Sequence, residues 1–356
     1  MNYEVLDSVK DSAKWESALS IFPDELRDIY FYPEYVGMHK FIDGTKALMF
    51  TYRKNGHIWL HPFLLQPIDS DEYSIDDGPW FDIESAYGYG GPLSNSEDQA
   101  FLVNANEQFS EWCKENNVVA EFVRFHPLLN NQSWASQNTK VEHDRNTVSL
   151  NLKHFDIENL PFSGKVRNML KRVDKANVKI DVYDPIKNFN HFENLYLATM
   201  SRISADSYYF FRKAYFADLS MFVVENGWLV GADLEGEWVG AAIFIKGKSL
   251  LHYHLSATNP DYQIPGITNA LLFKGMQLGK SKGLNILHLG GGNSSDLNDS
   301  LLRFKQKMGD KSNKFFIGKQ IHNHGIYSQL KHSWESRYPA LKEQYNNRLL
   351  CYRFIT

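Results

Sequence analysis

The pattern of apolar and polar residues is most regular over residues 249–309. Apolar and polar residues alternate over 250–257, which predicts a strand with Tyr253 and Leu255 on its apolar face and His254 on its polar face. A loop with two prolines follows, and apolar residues at helical spacing then predict a helix. A second strand, three consecutive glycines and a last helix complete the stretch. We expect the functional site to lie here.

The same periodicities predict helices and strands in the rest of the chain. Prolines interrupt apolar residues at helical spacing over 1–45, so we expect broken helices there. The other expected elements are a hairpin over 46–66 with an Asn-Gly turn, a helix over 97–116, a strand over 118–125, a helix over 163–176 and a hairpin over 228–245. A hairpin, a Gly/Pro turn and a helix recur in both halves. This order predicts two copies of one α/β unit with a ligand-binding cleft between them.

Length and composition restrict the class of protein. The 356 residues are enough for two domains, and a formal net charge of −4 argues against a protein whose main task is to grip nucleic acid. Two cysteines far apart in sequence make neither a zinc ligand set nor a disulfide framework. The first twenty residues lack the apolar run of a signal peptide, and no segment approaches the roughly 18–20 apolar residues of a membrane span. We therefore expect a cytoplasmic protein without a transmembrane segment, and peripheral membrane contact stays open.

The helix that begins near Ile267 is a candidate anion site. A strand that enters a helix through a Gly/Pro loop leaves the first N–H groups of the helix unpaired, and such groups suit a pyrophosphate. An ordinary capped turn explains the same residues without a ligand. Neither the dinucleotide glycine fingerprint nor the P-loop spacing is present.

Lys305 occupies an unexpected position on the last helix of the stretch. Asn298 or Asp299 is placed to cap this helix, and Phe304 and Met308 lie on the same predicted apolar stripe as the lysine. A lysine on an apolar face either extends its ammonium to water or holds a positive charge where negative charge develops. The pattern alone leaves both interpretations open.

Other residue patterns point to an anionic partner and exclude several kinds of catalysis. Arg167, Lys171 and Lys175 fall at i, i+4 and i+8 on one face of the helix over 163–176. The stripe is typical of a solvated face, but it also suits a phosphate-bearing substrate. The histidines have no metal-ligand spacing, so no metal is expected. No nucleophilic serine elbow appears either.

Several segments, taken together in order, resemble the FemABX-like branch of the GNAT acyltransferase superfamily. They are AYGYGGPLS and FVRFHPLL in the first half, then SGKVRNMLKRVDKANVKI, YYFF, VGAAIFIK, LHYHLSATNP, LGGG and DSLLRFKQKMG. The resemblance covers about residues 30–330. It implies an α/β (α+β) fold of two tandem GNAT-like domains with mixed, mostly antiparallel sheets flanked by helices. The first domain would span 1–155, joined by 321–356, and the second, with the donor site, would span 156–320.

The resemblance also implies a donor site. In GNAT enzymes, backbone N–H groups of the loop equivalent to Gln263, Gly266, Ile267, Thr268 and Asn269 bind the pyrophosphate of acyl-CoA, such as acetyl-CoA. Thr268 departs from the family pattern, since a second small residue is usual there. No tyrosine lies between residues 300 and 308 to protonate a leaving thiolate, whereas a lysine after phenylalanine is a FemABX-like feature. The long helical arm of many tRNA-dependent members is absent, which disfavours tRNA as donor.

The activity implied is transfer of an acyl group to an amine or hydroxyl of a nucleotide- or lipid-linked sugar in envelope polysaccharide or peptidoglycan assembly. We expect Lys305, with backbone N–H groups of the strand over 253–255, to stabilise the oxyanion, and His254 or Asp299 to accept the proton. The expected acceptor residues are Arg124, Arg167 and Lys171 for phosphates and Tyr87, Tyr89, Tyr209 and Tyr253 along a channel between the domains. The alternatives are an aminoacyl-tRNA-dependent transferase of peptidoglycan precursors and a catalytically inactive carbohydrate-binding module.

Overall fold

The computed structural model describes residues 2–75, 78–206 and 209–355. The strands in these residues are β1 (Tyr3–Asp7), β2 (Lys46–Lys54), β3 (His57–Pro67), β4 (Phe81–Glu84), β5 (Leu93–Ser94), β6 (Val118–Arg124), β7 (Lys140–Asn151), β8 (Lys179–Tyr183), β9 (Gly227–Leu234), β10 (Glu237–Lys246), β11 (Leu250–Thr258), β12 (Ile286–Gly291) and β13 (Lys311–Ile321). The α-helices are α1 (Ser12–Leu19), α2 (Pro33–Gly37), α3 (Ser70–Tyr73), α4 (Gln99–Glu115), α5 (Gly164–Lys175), α6 (Pro185–Arg202), α7 (Lys213–Asn226), α8 (Ile267–Ser281), α9 (Ser300–Gln306), α10 (His324–Arg337) and α11 (Lys342–Tyr345).

The chain forms two compact units. The first unit comprises Met1–Phe22, Tyr30–Asp144 and Phe315–Thr356, and the second comprises Pro23–Ile29 and Arg145–Lys314. Each unit therefore contains segments that are distant in sequence.

In the first unit, β1, β2, β3 and β4 form consecutive antiparallel pairs, β4 is parallel to β6, and β6 is antiparallel to β13. The expected hairpin over 46–66 is confirmed by β2 and β3. The expectation of broken helices throughout 1–45 is wrong at its start, because β1 pairs with β2 at the edge of the sheet. Only one residue of this short edge strand is buried, so its sequence has no clear alternation.

In the second unit, β8, β9, β10 and β11 form consecutive antiparallel pairs, β11 is parallel to β12, and β12 is antiparallel to β7. Apolar residues of α5, α8 and α9 form a core with one face of this sheet. The predicted helix over 163–176 is confirmed as α5, whose Val166 and Val173 are buried in that core. Helices α6 and α7 lie against the other face, where they contact β9 and β10.

Both units contain the same succession of elements. In the first, the β2–β3 hairpin is followed by β4, α4 and the parallel strand β6; in the second, the β9–β10 hairpin is followed by β11, α8 and the parallel strand β12. A helix between two parallel strands is the connection that parallel pairing requires. The expected recurrence of one α/β unit and the expected mixed, mostly antiparallel sheets are confirmed.

Candidate active site

The parallel strands β11 and β12 of the second unit diverge. They are paired only at their first three residues, Leu250↔Ile286, Leu251↔Leu287 and His252↔His288, although β11 continues to Thr258. Beyond this point their facing backbone groups make no pairs with each other. The result is a gap between two strands in which another molecule can meet backbone N–H and C=O groups.

A β-bulge in β11 sets the direction of the side chains along this gap. Ile243 of β10 pairs with Leu255 and Phe244 pairs with Tyr253, so His254 is the extra residue. Alternation is therefore interrupted, and Tyr253 shares a face with Ser256, to which its hydroxyl donates a hydrogen bond. The sequence prediction that Tyr253 and Leu255 share one face is wrong. Their partners Phe244 and Ile243 are adjacent in β10 and lie on opposite faces, and alternation in the sequence does not reveal a bulge.

His254 contacts a residue of helix α7. Its Nε2 lies 3.1 Å from the hydroxyl of Tyr215, a residue of α7 on the other face of the sheet from α8. The neighbouring His252 is buried and its Nε2 lies 2.7 Å from a carboxylate oxygen of Asp28. The structure therefore places His254 next to a tyrosine of α7.

Lys305 reaches into the gap between β11 and β12. Its side chain is buried, with only 8 % of the residue exposed, and its Nζ donates a hydrogen bond of 2.7 Å to the carbonyl oxygen of Gly291 on β12. The same Nζ lies 6.0 Å from the ring centroid of Tyr253 on β11. Burial lowers the pKa of Lys305 to about 8, which leaves the ammonium form predominant at neutral pH. Of the two interpretations of this lysine, the structure supports a buried charge.

The glycines at the end of β12 give the ammonium its space. Gly290 has φ +76°, and a Cβ atom added there would lie 3.1 Å from the Nζ of Lys305. A Cβ on Gly292 would lie 2.5 Å from a carboxylate oxygen of Asp299. The run of three glycines thus lets the backbone approach two charged side chains closely.

Asp299 caps α9 and closes the glycine loop. Its carboxylate accepts hydrogen bonds from the N–H of Leu302 at 2.9 Å and from the N–H of Asn293 at 3.1 Å. The Leu302 N–H bond holds the pKa of Asp299 below its usual range, although burial opposes this effect. Between Asn298 and Asp299, the two caps considered from sequence, the structure selects Asp299.

The start of α8, the candidate anion site, is covered on one side. Gly266 has φ +104° and is the N-cap residue, without a side-chain hydrogen bond. A Cβ there would lie 2.6 Å from the backbone oxygen of Met169 on α5. Ile267 and Asn269 are buried, and the amide of Asn269 donates to the sulfur of Met308 at 3.2 Å, whereas Gln263 is exposed.

The predicted phosphate-binding cations have different environments. Arg167 and Lys171 are exposed on α5, and the guanidinium of Arg167 donates to the carbonyl oxygen of Phe162 at 2.6 Å. Arg124 lies in the first unit, where it forms a 2.6 Å ion pair with Glu84. The charge of Arg124 is therefore already paired with a carboxylate.

The predicted channel tyrosines are divided between the units. Tyr87 and Tyr89 are half-buried in the first unit, where the ring of Tyr89 lies 5.3 Å from that of Tyr30. Tyr209 is 38 % exposed and Tyr253 is half-buried, both in the second unit. Tyr208, part of the YYFF segment, lies outside the described residues.

Sequence reasoning missed one residue near the lysine. The guanidinium of Arg145 donates to the carbonyl oxygens of Gly292 and Asn293 at 3.0 and 3.1 Å. Arg145 is 147 positions before Gly292, so no local periodicity links the two. The pairing of β7 with β12, which brings them together, is visible only in the fold.

No helix among the described residues is both long and apolar enough to cross a membrane. Both cysteines, Cys113 and Cys351, are buried as free thiols.

Comparison with known proteins gives similarity at the level of the fold. No protein-family model matches the chain, and no curated protein matches its sequence. The structure of FemX is similar with a TM-score of 0.68 and 12 % identity, over 92 % of this chain and 99 % of FemX. L-PGS from Bacillus licheniformis gives a TM-score of 0.56 and 14 % identity, over 91 % of this chain and 96 % of L-PGS.

A tandem GNAT protein from the clavulanic acid biosynthesis pathway has a TM-score of 0.52 and 9 % identity, over 90 % of this chain and 99 % of that protein. The match covers both units of this chain, and each unit contains the succession of hairpin, strand, helix and strand described above. The chain therefore has the FemABX-like, tandem GNAT fold that its sequence motifs resemble.

Proposed function

We propose that this protein is an acyltransferase whose donor acyl group enters the gap between β11 and β12, where the Lys305 ammonium binds the carbonyl oxygen. The observation that supports it is the buried Nζ located between these diverging strands, 2.7 Å from the Gly291 carbonyl oxygen. A buried ammonium is unfavourable for stability unless it is paired. Its retention at such a point is typical of a site where negative charge develops.

The chemistry needs no covalent enzyme intermediate. An ammonium has three N–H groups, and the bond to Gly291 leaves two that can donate to an incoming carbonyl oxygen. The acceptor nitrogen or oxygen forms a bond to the carbonyl carbon, and the negative charge collects on the oxygen beside Lys305. Collapse of this intermediate breaks the bond to the leaving group and restores the carbonyl. Alignment of the reactants and stabilisation of the oxyanion supply the rate enhancement.

Removal of the acceptor's proton is assigned to His254 or Asp299. Both oxygens of Asp299 accept N–H groups of the glycine loop and of α9, and its lowered pKa makes it a weak base. His254 has a tyrosine hydroxyl at 3.1 Å as a route for the proton. We therefore favour His254 as the proton acceptor.

We propose acyl-CoA, such as acetyl-CoA, as the donor, bound at the loop over 263–269. Its pyrophosphate would meet the N–H groups at the start of α8, where Gly266 leaves the backbone accessible from the side not covered by Met169. Aminoacyl-tRNA is the second candidate. The exposed cations of α5 favour it, because a polyphosphate backbone binds to such a stripe.

The proposed acceptor is an amine or hydroxyl on a phosphorylated sugar, nucleotide- or lipid-linked, of the kind used in envelope polysaccharide assembly. Arg167 and Lys171 are exposed and available to its phosphates. Tyr209 and Tyr253 supply aromatic surface in the second unit, as Tyr87 and Tyr89 do in the first.

The proposal is tested by thermal unfolding with acetyl-CoA, longer acyl-CoAs, coenzyme A and charged tRNA. A ligand at about a hundred times its Kd stabilises a protein by roughly 2.7 kcal/mol, which raises Tm by a few degrees. We expect this rise with an acyl-CoA. A rise with charged tRNA alone would support the second candidate, and no rise with any donor would contradict an acyltransferase.

A further inference from the structure

The carbonyl group that accepts the Lys305 hydrogen bond belongs to a loop held from two sides. Arg145 donates to the carbonyl oxygens of Gly292 and Asn293, immediately after Gly291. Asp299 accepts the N–H of Asn293 from the opposite direction along the chain, at 3.1 Å. One cation and one anion therefore both hold the backbone of Asn293, and the cation also holds that of Gly292.

We propose that Arg145 and Asp299 are positioning residues that together fix the direction of the Lys305 ammonium and set the charges around it. The inference rests on the proposed function, in which this ammonium binds the acyl carbonyl oxygen. Neither residue needs to touch the donor. Both act through the glycine loop and through their charges.

Geometry supports the positioning role. Residues 290–292 adopt a path that brings the Gly291 carbonyl to 2.7 Å from Nζ, and the positive φ of Gly290 lets the chain turn there. A turn rich in glycine has many alternative conformations. The hydrogen bonds of Arg145 and Asp299 select the conformation that orients the lysine.

The two charges act on Lys305 in opposite directions. Burial is the main cause of its lowered pKa of about 8, the negative charge of Asp299 raises that pKa, and the positive charge of Arg145 lowers it. From β11, Tyr253 also faces the ammonium, but burial raises its pKa to about 12, so its hydroxyl stays neutral while the lysine titrates. From β12, the backbone of Gly290 and Gly291 faces Nζ.

The test is an NMR pH titration of Lys305 in the full chain, with an isotope label at the lysine Cε and the signal assigned by its loss in Lys305→Met. Removal of the Arg145 charge in Arg145→Gln is expected to raise the pKa of Lys305 by roughly half a unit or more. Removal of the Asp299 charge in Asp299→Ser is expected to lower it by a similar amount, and serine keeps a helix cap. Arg303→Gln, an exposed cation of the same helix, is the control and leaves the titration unchanged.

Arg145→Lys separates charge from position. It keeps the positive charge but loses the planar group that donates to two carbonyls, so the titration stays near that of the wild type while acyl transfer falls at least fivefold. Shifts in the same direction for Arg145→Gln and Asp299→Ser, or no shift, would overturn the inference. The titration needs no acyl donor, so opposite shifts in a protein without transferase activity would contradict the proposed function instead.

Discussion

Lys305 carries a buried charge that lowers folding stability. Its pKa is about 8 in the folded chain against 10.5 for a free lysine, so the unfolded chain binds more protons between these pH values. Folding stability therefore rises with pH across this window. At pH 7 the buried ammonium lowers stability.

We predict that Lys305→Met raises the free energy of unfolding at pH 7 by about 1–3 kcal/mol, because an apolar side chain replaces a buried charge. The variant is also expected to lose the increase in stability between pH 8 and 10. Urea unfolding at both pH values measures these effects. A variant less stable than the wild type at pH 7 would show that the ammonium is well paired and stabilising.

We predict that Gly290→Ala lowers both stability and acyl transfer. Its φ is +76°, and the added Cβ would lie 3.1 Å from the Nζ of Lys305. The matched control is Gly283→Ala, where φ is +72° and no atom lies within 4 Å of the added Cβ. Both variants should lose about 1 kcal/mol from backbone strain, but only Gly290→Ala should lose activity. Equal activities would mean that the position of the lysine does not depend on this glycine.

Residue patterns singled out Lys305 because a lysine interrupts an apolar stripe. Lys305 and Met308 of that stripe are buried as predicted, but the leucine that is buried with them is Leu302 and not Leu301, which is half-buried. Arg145 could not be predicted, because its contacts depend on the pairing of β7 with β12. Long-range contacts of this kind leave no trace in local periodicity.

At the scale of elements, the existence of several strands was predictable and the geometry of their pairing was not. The hairpins and the helices α4, α5 and α8 follow from turn residues and helical spacing. The bulge at His254 and the divergence of β11 from β12 depend on which backbone groups pair. Those two features form the gap, so the site itself required the fold.

A buried charge network links strands in the first unit. Glu121 on β6 lies 2.8 Å from the Nε2 of His61 on β3 and 3.4 Å from the Nε2 of His322 after β13. Burial alone would raise the pKa of Glu121, but hydrogen bonds from His322 and His61 lower it to about 2. The network therefore stabilises the fold above the ordinary carboxyl pKa.

We predict that Glu121→Gln lowers the free energy of unfolding at pH 7 by about 3 kcal/mol, since it leaves two buried histidines without their carboxylate. The wild type should lose this contribution as the pH falls from about 4.5 towards 2, and the variant should not. Urea unfolding at pH 7 and thermal unfolding at pH 3 to 5 provide the measurement. Glu335→Gln serves as control, because this half-buried carboxylate of α10 pairs with the exposed Lys342. Equal stabilities of Glu121→Gln and wild type at pH 7 would contradict this account.

At the scale of the whole molecule, the order of motifs predicted the tandem GNAT fold although identity with known structures is 9–14 %. The order of motifs is set by the positions of buried apolar residues and of turn residues along the chain. The first strand was missed because few of its residues are buried.

Charge distribution over the whole chain leads to a further prediction. Because the protein has a net charge of −4, we expect an anionic substrate to approach it through a local basic surface. We predict that the double variant Arg167→Gln, Lys171→Gln binds UDP-N-acetylglucosamine, a nucleotide-linked sugar, at least fivefold more weakly and with less salt dependence. Lys311→Gln, Lys314→Gln makes the same change in net charge at exposed residues of β13 and should bind like the wild type. Equal weakening by both pairs would mean that total charge, and not α5, governs binding.

The most direct measurement is the rate of acyl release from the bound donor in Lys305→Ala, compared with Arg303→Ala on the same helix. Loss of one oxyanion donor reduces turnover by about 10²–10³-fold, and we predict this loss for Lys305→Ala with an unchanged donor Kd. Arg303→Ala should turn over like the wild type, since its side chain is exposed. Full turnover by a folded Lys305→Ala protein would contradict the role of Lys305, and a wild type inactive with every donor would point to a carbohydrate-binding module.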